Sequence, residues 1–575
     1  MNLLHFSFRP KLIEALAGYD STRLWRDVSA GITVAIVALP VAMAFAIASG
    51  VKPEAGIITA IISGFLISAL GGSRVQIGGP AGAFIVIIYG IIEHYGLVNL
   101  LISTIFAGVL LFLMGVLRLG TLIRYIPVPI VIGFTNGIAV LVFLSQVKDF
   151  FGLRVAKMPG DFFSQIQVLA LNADTIRFTT FALASSALLI LFVWPRLFAR
   201  FSAEAATPVR SHFARLLPLL RLLRAVPPTI IVLVLATAVV SLFQLPVETI
   251  GSRFGGIPHT LPEFIVPAFS WDLVKQLFAP TFTIALLGAI ESLLCARIAD
   301  HLVHDRHDPN QELMAQGIAN IVTPFFGGLP ATGTIARTLT SVRAGASSPI
   351  AGMLHAVVLL LIVLVAAPLA VNVPLAALAA ILFFVAYNMG EWCEFLHLKH
   401  FSNYYRILLL STFVLTVIVD LTVAVEVGLV LACLFYISRV SSLTRVETIP
   451  TAQLGEPLPQ GVAAFSVYGS LFFGTADKLE TLIEPTAPPL HVLILELHQL
   501  ISLDTSGLDA LEQLRKDLHS VGAQLLICGA NHQPLDLMRR TGFISRLGEA
   551  HCLPGLKEAL AMMHQALAAK SLEQQ

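Results

Sequence analysis

The chain has 575 residues, of which 56% are hydrophobic and 12% charged, against about a quarter charged in an ordinary soluble domain. This composition excludes an ordinary soluble enzyme, and it excludes disorder, which needs low hydrophobicity and high net charge. With 36 Lys+Arg against 35 Asp+Glu, no basic balance points to nucleic acid as a partner. The charges are unevenly spread. Residues 446–575 carry 8 basic and 14 acidic side chains, leaving 28 and 21 for the first 445. A charge-poor, net-basic body therefore precedes a charge-rich, net-acidic tail.

The first 28 residues contain Arg9, Lys11, Glu14, Asp20, Arg23, Arg26 and Asp27. They lack a short apolar core followed by a small-residue cleavage site, so no removable signal peptide is expected. A spanning helix needs about 20 largely apolar residues. Such stretches lie at 29–49, 54–70, 98–116, 127–147, 176–195, 228–245, 279–299, 349–369, 373–390, 406–421 and 423–439. Three shorter pieces, at 80–92, 313–326 and 334–344, are interrupted by Gly and Pro. Together they make fourteen, an even number that leaves both termini on one side.

Short loops rich in Lys and Arg stay cytoplasmic. Arg23, Arg26, Arg74, Arg118, Arg124, Arg297, Arg306, Arg343, Lys399, Arg439 and Arg445 all fall on one side. So do Arg196, Arg200, Arg210, Arg215, Arg221 and Arg224 of the 195–225 connection. The opposite loops mix both signs, as in Lys148, Asp149, Arg154, Lys157 and Asp161, or Glu248, Arg253 and Glu263. The expected organisation is a cytoplasmic segment 1–28, a transmembrane domain 29–440 and a cytoplasmic domain 446–575.

Gly78-Gly79-Pro80-Ala81-Gly82-Ala83, near the third span, echoes Gly327-Gly328-Leu329-Pro330-Ala331-Thr332-Gly333-Thr334, near the tenth. The two motifs occupy corresponding places in halves of seven spans. An odd number of spans per half makes the halves opposite in orientation, the signature of an inverted repeat. Alone, each motif reads as a kink or a close-packing glycine. As a pair they predict two half-helices beginning near the midplane, whose free N–H groups and positive dipole ends converge on one point.

Glu291 lies about 18 Å into its span, at 1.5 Å per residue from Ala279. A carboxyl at that depth is expensive and points to proton or ion coupling; the alternative is a structural carboxyl bonded to broken backbone. Arg337, just past the tenth-span break, adds a cation to a helix N-terminus, with the Thr334 and Thr338 hydroxyls as further donors to an anion. Its alternatives are a salt bridge to Glu291 or snorkelling to the interface. On the first span, Pro40 reads as a kink and Phe45 as packing.

In the tail, apolar runs at 463–468, 492–497 and 523–528 read as strands and Leu508–Val521 as an amphipathic helix. Asp504-Thr505-Ser506-Gly507 joins strand to helix and also fits an N-cap. No Walker motif, zinc signature or nucleophile elbow is present, so no ATP-driven pump, metal site or enzyme is expected and no cofactor is implied. Cys295, Cys393, Cys433, Cys528 and Cys552 lack CxxC spacing and are expected as buried structural thiols.

Four pieces, in this order, resemble the SulP anion-transporter family (sulfate permeases, solute carrier family 26): Ala38-Leu39-Pro40-Val41-Ala42-Met43-Ala44-Phe45-Ala46; Ile77-Gly78-Gly79-Pro80; Gly288-Ala289-Ile290-Glu291-Ser292-Leu293-Leu294; and the Asp504–Gly507 motif of a C-terminal STAS domain. The resemblance implies an α-helical polytopic fold of fourteen spans in a seven-plus-seven inverted repeat, with core and gate domains, an elevator-like motion and a homodimer in the bacterial inner membrane. It places the anion between spans three and ten, against Val41, Phe45, Ala81, Gly82, Ala336 and Arg337. Sodium-coupled bicarbonate members carry Asp and Thr where this chain has Glu291 and Cys295, which disfavours sodium and favours protons.

Within the family, Gly288–Ala296, Pro324–Gly328, Ile335–Arg337 and Val342–Ala346 are most similar to the bacterial C4-dicarboxylate carriers, implying proton-coupled uptake of succinate, fumarate or aspartate. Sulfate or bicarbonate transport, an uncoupled anion channel and a STAS-linked membrane sensor are the other readings. The STAS resemblance implies a protein partner and makes Ser506 a candidate phosphorylation site.

Overall fold

Fourteen helices follow the fourteen expected segments in order. The computed structural model describes residues 8–121, 126–155, 158–204, 227–256, 263–267, 275–419, 421–454, 457–480, 482 and 490–573. Arg124, Lys157, Arg210, Arg215, Arg221 and Arg224 lie outside them. The first seven helices are α1 (Ser21–Ala48), α2 (Pro53–Leu70), α3 (Phe84–Tyr95), α4 (Leu97–Val116), α5 (Val128–Phe151), α6 (Phe178–Glu204) and α7 (Pro228–Phe243). The second seven are α8 (Phe278–Val303), α9 (Pro309–Val322), α10 (Ile335–Arg343), α11 (Ile350–Ala370), α12 (Leu375–Met389), α13 (Asn403–Ile418) and α14 (Leu421–Leu443). Among the described residues six helices are long and apolar enough to cross a membrane unaided; α3, α9 and α10 are the short, Gly- and Pro-bounded pieces.

Local chemistry sets these boundaries. Pro stands in the first turn of α2, α5, α7 and α9, where its missing N–H removes no helical bond. The Asp308 side chain caps α9 by accepting from the Asn310 and Gln311 amides, and α5 stops at Gly152 in the left-handed region. The segment between α5 and α6, expected to be a loop, folds partly into a short helix, Phe162–Leu171, capped by Asp161.

The packing repeats across the halves. Helix α11 lies on α1 and α2 just as α4 lies on α8 and α9, while α2 meets α9 directly. Helix α5 packs on α13 as α12 packs on α6, and α5 meets α12. These two sets are the core (α1–α4, α8–α11) and the gate (α5–α7, α12–α14) of a seven-plus-seven inverted repeat, and they meet where α12 and α7 pack on α1 and α5 packs on α3. Small residues permit the tight crossings: a Cβ on Gly108 of α4 would come within 2.7 Å of the Gly317 carbonyl oxygen of α9. This is how helices associate where no hydrophobic force distinguishes neighbour from lipid.

The chain divides into two units, Met1–Leu429 and Val430–Gln575. In the second, strands β3 (Arg445–Thr448), β4 (Val462–Leu471), β5 (Val492–Glu496), β6 (Leu500–Leu503), β7 (Gln524–Cys528) and β8 (Cys552–Leu553) form one sheet. Its order is β3-β4-β5-β7-β8, with β6 also beside β4; every pair is parallel except β3–β4. Alternate residues serve opposite faces. Leu493 and Leu495 pack with Leu508, Leu511, Leu514 and Leu518 of helix α15 (Thr505–Ser520) and Met538 of α16 (His532–Arg540). Val492 and Ile494 pack with Ala559 and Met563 of α17 (Leu556–Glu573). This is an α/β domain with helices on both sides.

The thiols depart from expectation. Cys295 and Cys528 are buried, but Cys393 and Cys433 are exposed and Cys552 is intermediate. Cys433 stands on the outer surface of α14, where an apolar environment tolerates a small thiol without enclosure by protein.

Candidate functional site

Between α2 and α3 the chain forms a two-residue strand, β1 (Gly78–Gly79), and before α10 it forms β2 (Thr332–Gly333). The two pair antiparallel, Gly78 opposite Gly333 and Gly79 opposite Thr332. Non-helical backbone at membrane depth must find partners inside the protein, and here each half supplies the other's. The Thr334 amide and hydroxyl donate to the Ile77 carbonyl at 2.8 and 2.9 Å, while Thr338 Oγ1 accepts from the Ile77 amide at 3.0 Å. Thr332 Oγ1 donates to the Gly288 carbonyl of α8 at 3.0 Å.

The pairing sets the first turns of α3 and α10 beside one cavity of about 1520 Å3, lined by Val41, Phe45, Ala81, Gly82, Glu291, Thr334, Ala336 and Arg337. Neither helix has a side-chain cap, so neither positive end is covered by a protein oxygen of that kind. Each such end is equivalent to roughly half a positive charge. The Thr334 hydroxyl lines the cavity yet is already engaged by β1. Thr338 does not line it; its oxygen lies 3.3 Å from Cys295 Sγ. These two hydroxyls were expected as anion donors, but the demands of the broken backbone come first.

Arg337 is 3% exposed. Its Nη2 donates to the Pro80 carbonyl at 3.3 Å, and its Nη1 has no hydrogen-bond partner among the described residues. A buried guanidinium with an unmet N–H is costly, and this one lies against Gly79 of β1. Glu291 stands midway along α8, 9% exposed and facing the same cavity. Among the described residues no ion pair joins it to Arg337, so the sequence alternative of a Glu291–Arg337 salt bridge is not found. The cavity extends from this point to Arg297, His301, Arg306 and Arg343, residues of the side that the loop charges assign to the cytoplasm.

Four polar residues around the site escaped the sequence reading: Gln76, Ser292, Glu312 and His355, each at most 3% exposed. His355 had a signal, being an ionisable side chain within an apolar span, in the second turn of α11. Glu312 had none, since its segment reads as polar. Among the described residues no group of three or more His, Cys, Asp or Glu could hold a metal ion.

In the second unit, Asp504 caps α15 by accepting from the Gly507 amide at 2.8 Å. The helix begins at Thr505, not Leu508, because the capping motif itself supplies the first turn. Ser506 is half-buried in that turn.

The sulfate permease family profile matches residues 24–412, and the STAS domain profile matches 457–559. YvdB of Bacillus subtilis (strain 168), named as a candidate sulfate transporter, is 40% identical over 539 residues, 93% of this chain and 97% of its own length. The bicarbonate transporter BicA of a Picosynechococcus species is 28% identical, covering 93% of this chain and 94% of its own. Among solved structures, the murine solute carrier 26 family member A9 anion transporter shares the fold with a TM-score of 0.82 at 18% identity, covering 98% of this chain and 94% of that one. The transmembrane domain of a cyanobacterial BicA gives a TM-score of 0.60 at 29% identity, covering 71% of this chain and 98% of that one. These relatives are transporters, not enzymes, and their names point to sulfate and bicarbonate rather than to C4-dicarboxylates.

Proposed function

This chain belongs to the sulfate permease family of anion transporters, and from its site we propose that it carries a small dianion across the bacterial inner membrane, coupled to a proton on Glu291. One observation carries the choice of a dianion. Two uncapped helix ends of about half a charge each, with one buried guanidinium, offer about two positive charges to whatever enters the cavity. Sulfate matches that count, and YvdB's name points the same way; bicarbonate, with one charge, leaves an excess.

C4-dicarboxylates are the second reading, favoured by a cavity of about 1520 Å3, more than one small oxyanion fills. Glu291 faces that cavity with no cation paired to it, so a proton is the partner that neutralises it. The core, bearing the site, moves against the gate, in an elevator-like motion. The Lys- and Arg-rich loops on that side support a cytoplasmic open side, with both termini and the STAS domain in the same compartment.

The deciding experiment is uptake of labelled sulfate, succinate and bicarbonate into proteoliposomes, with and without a pH gradient. Wild-type protein is expected to be stimulated by an inside-alkaline gradient. Glu291→Gln is expected to lose that stimulation while keeping anion counterflow. Gradient stimulation of Glu291→Gln at the wild-type level overturns the coupling role, and steady current without counterflow overturns the carrier in favour of a channel.

A further inference from the structure

Glu312 of α9 is fully buried, and donors surround its carboxylate. Oε2 accepts from the Gly72 and Ser73 amides at 3.0 and 3.3 Å. Oε1 accepts from Ser292 Oγ at 3.2 Å and from Gln316 Nε2 at 2.9 Å. No cation is in hydrogen-bonding contact with it among the described residues, so these four donors hold the group. A carboxylate can accept from all four; an amide in its place has one acceptor oxygen and adds two donors.

Ser292 follows Glu291 directly on α8. Because its hydroxyl proton goes to Glu312, its oxygen is left to accept, and it does so from Gln76 Nε2 at 3.3 Å. The same nitrogen reaches the Ser292 carbonyl at 3.3 Å. A carbonyl can only accept, which fixes the amide with its nitrogen toward α8. On its other side Gln76 Nε2 presses on β2: a Cβ on Gly333 would come within 1.7 Å of it. Gln76 also lies two residues before Gly78 of β1. One amide therefore touches the helix of the acid and the second break, and is covalently next to the first.

We propose that Gln76, wedged between Ser292 and Gly333 and oriented through Glu312, is a positioning residue that transmits the charge state of Glu291 to the anion site. The inference rests on the reading of Glu291 as the proton-coupling acid. A change of charge at Glu291 shifts its helical turn, Ser292 moves with it, and the Gln76 amide passes the shift to the strand pair that aligns α3 and α10. Among the described residues the other titratable or charged groups around Glu291 include Cys295, Arg297, Asp300 and His301 along α8, Arg337 and Arg343 on α10, Glu312 on α9 and Glu391 after α12, with His355 of α11 near Arg337. Of these, Cys295 also lies between α8 and β2, its Cβ 3.3 Å from where a Cβ on Gly333 would stand; Gln76 differs in reaching Ser292 through two hydrogen bonds.

The test compares Gln76→Leu with wild type in proteoliposomes, using labelled sulfate. Counterflow without a pH gradient and uptake under an inside-alkaline gradient are read separately. The gradient-stimulated part is expected to fall at least about fivefold, while counterflow KM stays within about twofold. A purely structural role lowers both together, and that result overturns the inference. Ser292→Ala, which keeps the carbonyl and loses the hydroxyl, is expected to move the pH profile in the same direction by a smaller factor. An unchanged profile in both variants likewise overturns it. A wild type without gradient stimulation overturns the role of Glu291 and this inference together, whereas variants stimulated like a stimulated wild type overturn the inference alone.

Discussion

A Cβ on Gly79 would lie 2.1 Å from Nη1 of Arg337. The guanidinium passes so close to β1 that only hydrogen fits there, and Gly79 also has φ +152, a region that favours glycine. Gly79→Ala is therefore expected to displace Arg337 from the site without removing its charge. A charged hydrogen bond contributes about 1.5–3 kcal/mol, so KM for the anion should rise about ten- to a hundredfold. Initial-rate uptake across a substrate series measures this, and an unchanged KM would show that Arg337 does not hold the anion.

Arg337→Lys tests shape against charge. Lysine keeps the positive charge but loses the planar fork that reaches the Pro80 carbonyl and the cavity together. Weaker binding of about tenfold is expected, with Arg337→Ala weaker still. Isothermal titration with sulfate would rank the three proteins.

Asp27, near the start of α1, is fully buried. It accepts from the Tyr19 hydroxyl at 2.8 Å and from the Ser347 amide at 2.6 Å, and both the Ser347 and Ser348 hydroxyls turn to it. It thereby ties the first helix to the segment joining α10 to α11. Asp27→Ala leaves the half-buried Ser347 amide and the buried Ser348 hydroxyl without this acceptor, a loss of about 1–3 kcal/mol, and the melting temperature of the purified protein should fall accordingly.

In the second unit, Glu512 of α15 is opposed by burial, but hydrogen bonds and charge from Arg515 and Arg546 outweigh this and hold its carboxyl below the usual 4.5. A carboxyl with a lowered folded value stabilises the domain at neutral pH and loses that contribution as pH falls through the lowered value. Protection of the amides of Thr505–Ser520, taken relative to their intrinsic exchange rates, should thus fall below about pH 4.5, and Glu512→Gln should flatten that part of the pH dependence. The effect is small, because Glu512 and its arginines are partly solvated.

Asp504→Ala removes the oxygen that holds the Gly507 amide and should cost about 1 kcal/mol. The first turn, which contains Ser506, should then exchange its amides faster than the rest of α15. Equal protection along the helix would show that the cap contributes nothing.

Much of the fold was legible because a bilayer imposes length and apolarity on every span. The correspondence of the two breaks was legible because Gly78–Pro80 and Gly327–Pro330 stand in matching places, but their joining as strands was not. Glu312 was not, since the partners that make it a buried acceptor, Gly72 and Ser73, lie some 240 residues away and meet it only after α9 packs on α2. Strands β3, β6 and β8, of two to four residues, are too short to show a period. The hydroxyls of Thr334 and Thr338 could be named from sequence, but their engagement with Ile77 depends on a strand pair that no local pattern announces.

The two rungs between Gly78–Gly79 and Thr332–Gly333 have one more effect. They stitch the first half of the protein to the second at the spot where an anion would rest, so neither half-helix can retreat from the cargo alone. If the core moves as proposed, a cradle built that way would travel whole. Under the proposed elevator-like motion the anion would keep the same neighbours at either end of its journey.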